Sequence, residues 1–365
     1  MKTQRLKILL GKNGSYDIRV GVQLLESFGA HLREVTGASK AVVITDSNVG
    51  PLYLDRVKIS LTNAGFETFN ITIPAGEHSK NIEVATELWQ ALSMLKIDRS
   101  DVVVGLGGGV VGDLAGFVAS TYLRGIDCAL IPTSLLAMVD SSVGGKTAIN
   151  LSQAKNLVGT FRQPVYVAAD LDTLNTLPAG EWENGFAEIA KSALVDGPVF
   201  SHWLFENCDL LLAHNVETIQ QSIVSALTFK AGVVTADELE SGKRECLNYG
   251  HTLGHALEVL SDYTISHGRA VFEGMRFAAR LGVEAAAVSE RLVKAQDELL
   301  AKLSFAPLTV SFGADDIFAQ LFKDKKTRKG ELRFVFVTEP GTWQVTAVDP
   351  DLVKIYLILW EQAKM

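Results

Sequence analysis

The stretch DVVVGLGGGVVGD, Asp101 to Asp113, decides how the first half of the chain folds. Asp101–Leu106 is a short apolar, β-branched run without alternation, the pattern of a strand buried on both faces of a parallel sheet. Glycines follow at once, and Gly107-x-Gly109-x-x-Gly112 satisfies the dinucleotide fingerprint between a strand and a helix. Glycines there let backbone approach a pyrophosphate, and the helix N-terminus offers free N–H groups and the positive end of its dipole. The loop follows a later strand rather than the first, and no acid ends a strand about twenty positions on, so the match alone equally suits a tight structural turn. Asp46, ending an earlier strand beside Asn48, is a ribose acceptor that the standard spacing misses. Asp113 also suits an ordinary helix-start acid favoured by the dipole.

Strand and helix alternate on both sides of this stretch. Residues 1–20 hold two extended runs split by Gly11–Gly14, expected at a sheet edge. Helical spacing over Val22–Val35, a buried strand at Lys40–Asn48, a helix at Leu52–Asn63, a strand at Phe66–Ile73 and a helix at Ile82–Leu95 lead to the glycine loop. The alternation resumes with Asp127–Ile131 and runs to about Asp170. After Pro178 the periodicity turns helical, at Glu181–Ala193, Val216–Thr235, Arg244–Leu260, Gly268–Val288 and Leu292–Leu303. Leu332–Val337 and Thr342–Ala347 read as a late hairpin, and Leu352–Gln362 as a closing helix. The expected fold is an N-terminal α/β, Rossmann-like domain over 1–177 with a mostly parallel sheet, then a mainly α-helical domain over 178–365, with the ligand site in the cleft between them.

The 365 residues exceed one ordinary core, and 47% apolar with 21% charged residues describes a globular protein. A net charge of −8 argues against nucleic acid and anionic membrane as partners, but not against a small anionic substrate held by a local cluster of cations. Cys128, Cys208 and Cys246 are isolated and odd in number, as reduced thiols are. The start MKTQRLKILL lacks the apolar run and cleavage site of a signal peptide, and no run approaches a membrane span. The expected location is cytoplasmic.

Chemistry concentrates in three places. In VDSSVGGKTAIN, Val139 to Asn150, Asp140 and Lys146 flank a small-residue turn, with Lys155 and Asn156 after it; this suits a charged surface loop or a place where substrate approaches backbone. In GFAEIAK, Glu188 and Lys191 lie at i, i+3, the spacing of a surface ion pair, but among apolar neighbours where an unpaired carboxylate needs something to bind. In RECLNYGHTLGH, read as a helix, Arg244, Asn248, His251 and His255 fall on one stripe. A solvated face rarely concentrates His without Lys and Glu between them; two His at i, i+4 can share a divalent metal, His267 adds a third imidazole, and Glu188 is the candidate carboxylate.

GGGVVGDLAGFVASTYLRG, IPTSLLAMVDSSVGGKTAIN, KNLVG, GFAEIAK, RECLNYGHTLGH, SHG and DKK occur in this order and spacing across nearly the whole chain, and the series closely resembles the 3-dehydroquinate synthases. The resemblance implies conversion of 3-deoxy-D-arabino-heptulosonate 7-phosphate (DAHP) to 3-dehydroquinate and phosphate in the shikimate pathway of aromatic amino acid biosynthesis. It implies transient oxidation by NAD, phosphate elimination, re-reduction and intramolecular aldol closure, with no net redox change. It places the divalent metal, Zn2+ or Co2+, on Glu188, His251 and His267, leaving His255 to the substrate. The family's substrate-gripping and proton-handling residues match Asp140, Lys146, Asn156, Lys191, Lys230, Glu240, Arg244, Asn248, His255 and Lys325, with the adjacent Lys326 an equal match to the last. Arg124 matches an arginine that reaches the neighbouring site of a homodimer. NAD contacts match Asp46, Asn48, Glu77, Lys80, Gly108, Gly109, Asp113, Thr133, Ser134, Lys146, Lys155, Thr176, Leu177 and Glu181.

Two positions leave the family pattern: Gly180 stands where Arg is common, and Arg269 where Glu follows His-Gly. Arg cannot accept a hydrogen bond, so an acid that orients a ligand must come from elsewhere; Glu273, at i+4 on the same expected helix, is the candidate, held by Arg269, and the spacing equally suits an exposed ion pair of the two. A glycerol dehydrogenase-like enzyme shares the two-domain design, but its neutral substrates need no dense cationic set. A sugar phosphate cyclase acting on a substrate without a carboxylate would change some of these cations, whereas Lys230, Arg244 and Asn248 keep the pattern.

Overall fold

A computed structural model describes residues 2–10, 14–151, 154–240, 242–303, 308, 312–323 and 331–363. It divides into two compact units, Met1–Pro178 with Lys230–Thr235, and Ala179–Phe229 with Ala236–Met365.

The first unit runs β1 (Gln4–Leu10), β2 (Gly14–Gly21), α1 (Leu24–Val35), β3 (Lys40–Asp46), α2 (Gly50–Asn63), β4 (Glu67–Ile73), α3 (Ile82–Met94), β5 (Val102–Gly107), α4 (Gly109–Thr121), β6 (Asp127–Pro132), β7 (Lys146–Leu151), β8 (Ala154–Phe161) and β9 (Tyr166–Asp170). Seven strands form one sheet in the order β1-β2-β9-β6-β5-β3-β4, parallel except where β1 pairs with β2. Every residue of β5 is buried, which is why its sequence is continuously apolar instead of alternating. Val43, Val104, Leu106 and Ile131 pack beneath Leu25, Phe28 and Val57 of the covering helices. The fully buried Asp170 accepts from Leu25 N at 2.9 Å, tying the end of β9 to the start of α1.

The chain leaves β3 for β4 on one side and returns to β5 on the other. The carboxyl ends of β3 and β5 are therefore a topological switch point, where open α/β sheets bind their ligands. Asp46 ends β3 and Gly107 ends β5, so the two features singled out in sequence lie on adjacent strands. The antiparallel hairpin β7–β8 is a departure: the small-residue turn there leads into paired strands, Lys146 opposite Phe161.

The second unit holds α5 (Ala179–Asp196), α6 (Pro198–Leu212), most of α7 (Val216–Ala236), α8 (His251–Leu260), α9 (His267–Ala285), α10 (Glu290–Lys302), α11 (Ala314–Lys323), the hairpin β10 (Leu332–Glu339) and β11 (Thr342–Val348), and α12 (Pro350–Ala363). Leu253, Leu257, Phe277, Leu281, Phe334, Phe336 and Trp360 form its core. Among the described residues no helix is long and apolar enough to cross a membrane.

The helix expected over Arg244–Leu260 is broken. Lys243–Asn248 is a 3-10 turn, Tyr249 is extended with ψ 125°, and Gly250 takes φ 80° before α8 begins at His251. Gly250 has no substitute here: a Cβ would stand 2.7 Å from Val271 O, and one on Gly274 would stand 1.7 Å from Gly250 O. The break is what lets α8 cross α9 backbone to backbone. Arg244 and Asn248 consequently do not share a helical stripe with His251 and His255.

The pairing of Arg269 with Glu273 is also overturned. Arg269 reaches Glu183 of α5 at 3.7 Å, a partly exposed pair worth well under about 1 kcal/mol. Glu273, 1% exposed, faces the core, accepting from Leu308 N at 3.1 Å and Trp360 Nε1 at 3.3 Å beside Arg276. Burial pushes its carboxyl up, against the opposing pull of Arg276. Glu273→Ala removes the acceptor shared by α9, α12 and residue 308, an expected loss of about 3 kcal/mol. It should lower the urea midpoint of this unit while folded protein keeps its metal affinity; an unchanged midpoint would remove this role.

Candidate metal centre and glycine loop

Three elements of the second unit converge on one point. Glu188 lies mid-way along α5, His251 opens α8 and His267 opens α9, and one ligand atom from each falls within 4.8 Å of the others. Gly268 N donates to Asn184 Oδ1 at 2.7 Å, seating the start of α9 on α5 one turn before Glu188. Glu188 Oε1 stands 3.5 Å from both His251 Nε2 and His267 Nε2. Two ligands about 2.1 Å from a tetrahedral ion sit about 3.4 Å apart, so the spacing suits a shared cation.

Glu188 is 1% exposed; the Lys191 ammonium is ion-paired with its Oε2, and its Oε1 faces the two imidazoles. The ammonium leaves Oε1 facing two imidazole nitrogens, an arrangement that a divalent cation would complete. The rings are held from behind. His251 Nδ1 lies 3.1 Å from Tyr249 O and His267 Nδ1 lies 3.3 Å from Glu258 Oε2, so each Nδ1 donates and Nε2 is the nitrogen left to ligate a metal, which would displace any proton it carries. Burial opposes charge on His267, but hydrogen bonds and charge from Glu188 and Glu258 outweigh it, raising the imidazole to about 10 in the metal-free chain. The site favours positive charge, and a divalent ion answers the same field.

His255, one turn after His251, puts its ring edge-on at 5.3 Å between centroids. Lys191 is 2% exposed and close enough to act electrostatically on Cys246. Arg244 is 1% exposed; its N–H donates to Asp237 Oδ2 at 2.9 Å and its Nη1 to Glu238 O at 2.9 Å. Asn248 Nδ2 reaches Glu240 Oε1 at 3.5 Å, with Glu240 at φ 58°. Glu181 accepts from Asn184 Nδ2 at 3.0 Å in the first turn of α5. Lys325 lies outside the described residues.

In the first unit, Gly108 caps α4 with no side-chain partner, so the N–H groups of the first turn face the switch point. The three fingerprint glycines do different jobs. A Cβ on Gly107 would stand 2.6 Å from Val111 Cγ2, and one on Gly109 3.2 Å from Ser141 Oγ, but one on Gly112 would meet nothing within 4 Å. Open space at a half-buried helical glycine is a cradle that an added side chain would fill, the fit expected of a close-lying dinucleotide. Asp46 Oδ1 accepts from Asn48 N at 2.8 Å and Val49 N at 2.9 Å, shaping the turn after β3. Thr133 N donates to Gly107 O at 3.0 Å, which brings Thr133 and Ser134 against the loop.

A polar network flanks the loop. The buried Lys80 ammonium donates to Asp113 and to Asn156 Oδ1, Asn150 Nδ2 donates to Glu77 Oε1 at 2.7 Å, and Asn156 N donates to Asn150 Oδ1 at 2.9 Å. Burial pushes the Asp113 carboxyl up, opposed by Lys80. Lys230 donates to both the carbonyl and carboxylate of Asp140, one residue from the Ser141 that borders Gly109. Thr176 meets the Tyr53 hydroxyl at 2.5 Å, just before Leu177. Lys146 is exposed at the start of β7 and Lys155 half-buried on β8. Arg124 stands apart, exposed beyond the far end of α4 with φ 67°; the helix length puts it about 20 Å from the glycines. Asn150 and Glu258 were not assigned from sequence. Their signals were modest, an Asn inside VDSSVGGKTAIN and an acid two turns after His251 on the same face.

A parallel sheet with a glycine loop at its switch point, followed by a helical unit, is the fold of solved sugar phosphate cyclases. The chain is similar to a structure of 2-deoxy-scyllo-inosose synthase complexed with carbaglucose-6-phosphate, NAD+ and Co2+, at 26% identity and TM-score 0.89, covering 98% of this chain and 99% of that one. It is similar to a 2-epi-5-epi-valiolone synthase from Streptomyces hygroscopicus subsp. jinggangensis with NAD+ and Zn2+ bound, at 25% identity and TM-score 0.84, over 95% and 97% of the two chains. Within that class, residues 70–184 match the 3-dehydroquinate synthase N-terminal model and residues 185–327 the C-terminal model. A 3-dehydroquinate synthase from Desulforamulus reducens is 44% identical over 332 residues, 90% of this chain and 92% of that protein. The chain belongs to the 3-dehydroquinate synthase family.

Proposed function

We propose that the chain converts DAHP to 3-dehydroquinate and phosphate with recycled NAD and a zinc-type divalent ion. The observation that carries the reading is the buried Glu188 carboxylate, whose Oε1 stands 3.5 Å from two imidazole nitrogens on rings already held from behind. When bound, the ion supplies Lewis acidity and NAD a reversible oxidation. Glu188, His251 and His267 would hold the ion, leaving a coordination position open to substrate oxygens. The first-turn N–H groups of α4 with Gly108, Gly109 and Gly112 would cradle the dinucleotide phosphates, Asp46 and Asn48 its ribose, and Glu77, Lys80 and Asp113 the ring-bearing end.

The substrate carries a carboxylate and a phosphate, so the chain must supply local cations against its net charge of −8. Lys191, paired with Glu188, would supply one at the metal centre and Lys230, bonded to Asp140, one near the glycine loop, with Arg244 and Lys146 as further cations the family resemblance implies. Lys230 is held in place by the carbonyl and carboxylate of Asp140. His255, next to a ligand ring, is positioned to take or return a substrate proton. Homodimerisation would bring the outlying Arg124 to a partner's site, and the location is taken to be cytoplasmic.

Purified protein incubated with DAHP, NAD and Zn2+ should release phosphate while absorbance at the NADH wavelength stays flat after the first turnover. Stoichiometric NADH accumulation, or no phosphate, would overturn the reading and favour a dehydrogenase.

A further inference from the structure

We propose that Glu258 is a positioning residue for the metal centre: its carboxylate fixes the ring and tautomer of His267 so that Nε2 faces Glu188. The inference rests on the metal reading above. Glu258 is 7% exposed, and its Oε2 stands 3.3 Å from His267 Nδ1, while the other ring nitrogen stands 3.5 Å from Glu188 Oε1. One imidazole thus lies between two buried carboxylates. A purely structural His–Glu pair is complete with one acid; here a second carboxylate, Glu188, meets the opposite nitrogen, the arrangement in which one acid backs a ligand imidazole and the other shares its metal.

The helix geometry makes the arrangement specific. His251 and Glu258 are seven residues apart on α8, two turns along one face, so one helix supplies a ligand and also aims the next ligand. The connection to α9 is pinned: Tyr263 N donates to Glu258 O at 2.8 Å, Ser261 Oγ to the same carbonyl at 3.0 Å, and Ile265 N to Ser261 Oγ at 3.2 Å. Asp262 and Tyr263 both adopt left-handed backbone, at φ 48° and 60°, in the turn that returns the chain to His267. Non-glycine residues hold that conformation at a cost, which is a feature of segments that place functional groups. Glu258 thereby fills the orienting role that Arg269 cannot fill and that Glu273, buried in the core, does not.

The test compares wild type, Glu258→Gln, Glu258→Ala and His267→Ala. Zn2+ affinity is measured by competition with a chelating dye, the visible spectrum is recorded with Co2+, and melting of the metal-free proteins is followed separately. Glu258→Ala should weaken affinity about 10- to 100-fold and shift the Co2+ spectrum, with Glu258→Gln between it and wild type. If Glu258→Ala fails to fold, the isosteric Glu258→Gln carries the comparison. Affinity and spectrum within twofold of wild type in Glu258→Gln and Glu258→Ala, while His267→Ala loses the ion, would overturn the role of Glu258 and leave the metal reading intact. Retention of the ion by His267→Ala would overturn the metal reading itself.

Discussion

Glu188→Gln should abolish tight divalent-metal binding and reduce turnover by at least about 10³-fold, the equivalent of several kcal/mol of lost Lewis-acid stabilisation. The substitution keeps the side chain's volume among Ala187, Ile189 and Ala190 and removes only its charge and its capacity to serve as an anionic ligand. His251 and His267 retain their backing from Tyr249 O and Glu258, so their geometry need not change. Metal content after dialysis should fall from near one equivalent to background. A second readout is thermal: a ligand that binds only folded protein stabilises it, so chelator should lower the melting temperature of wild type and leave Glu188→Gln unmoved. A variant that keeps one equivalent of metal and wild-type turnover would show that Glu188 is a structural partner of Lys191.

How much of this could be read from sequence depends on whether the signal was local. The β-branched runs ending at Asp46 and Leu106 announce buried strands because burial on both faces writes itself into consecutive residues. That they are adjacent across a switch point is a property of strand order, which the fingerprint spacing does not encode. Gly107 is explained by its own helix, through Val111, whereas Gly112 has nothing near it among the described residues, a distinction no pattern of glycines carries.

The metal centre shows the same division. The spacing of His251 and His255 suggests a shared ion, yet the cluster the fold assembles is Glu188, His251 and His267, the set the family resemblance implies. The periodicity from Arg244 to His255 looked continuous because a 3-10 turn and an α-helix place similar residues at similar intervals. Gly250 interrupts it for a tertiary reason, its contact with Gly274 on another helix. Glu273 misled for a related reason. Its i+4 spacing from Arg269 is genuine, but α9 is buried along most of its length, and the acid answers to Trp360 and Leu308 instead.

Gly112 gives the prediction in which stability and binding part company. It lies in the first turns of α4, where glycine costs about 1 kcal/mol relative to alanine, and an added Cβ would meet no atom of the described residues within 4 Å. If the position served only the fold, Gly112→Ala would simply stabilise the protein. The dinucleotide reading expects the same gain in the absence of NAD together with weaker NAD binding, because the new methyl group occupies the surface the cofactor needs. Gly112→Leu should exaggerate both the steric block and the contrast. Overpacking of about 3 kcal/mol corresponds to a loss of roughly 100-fold or more in affinity. NADH fluorescence titration gives the affinities, and melting of cofactor-free protein gives the stabilities. Metal affinity serves as a control, since Glu188, His251 and His267 belong to the other unit. A Gly112→Leu protein that folds, keeps its metal and binds NADH within twofold of wild type would remove the dinucleotide from this loop, and the open space beside Gly112 would need another occupant.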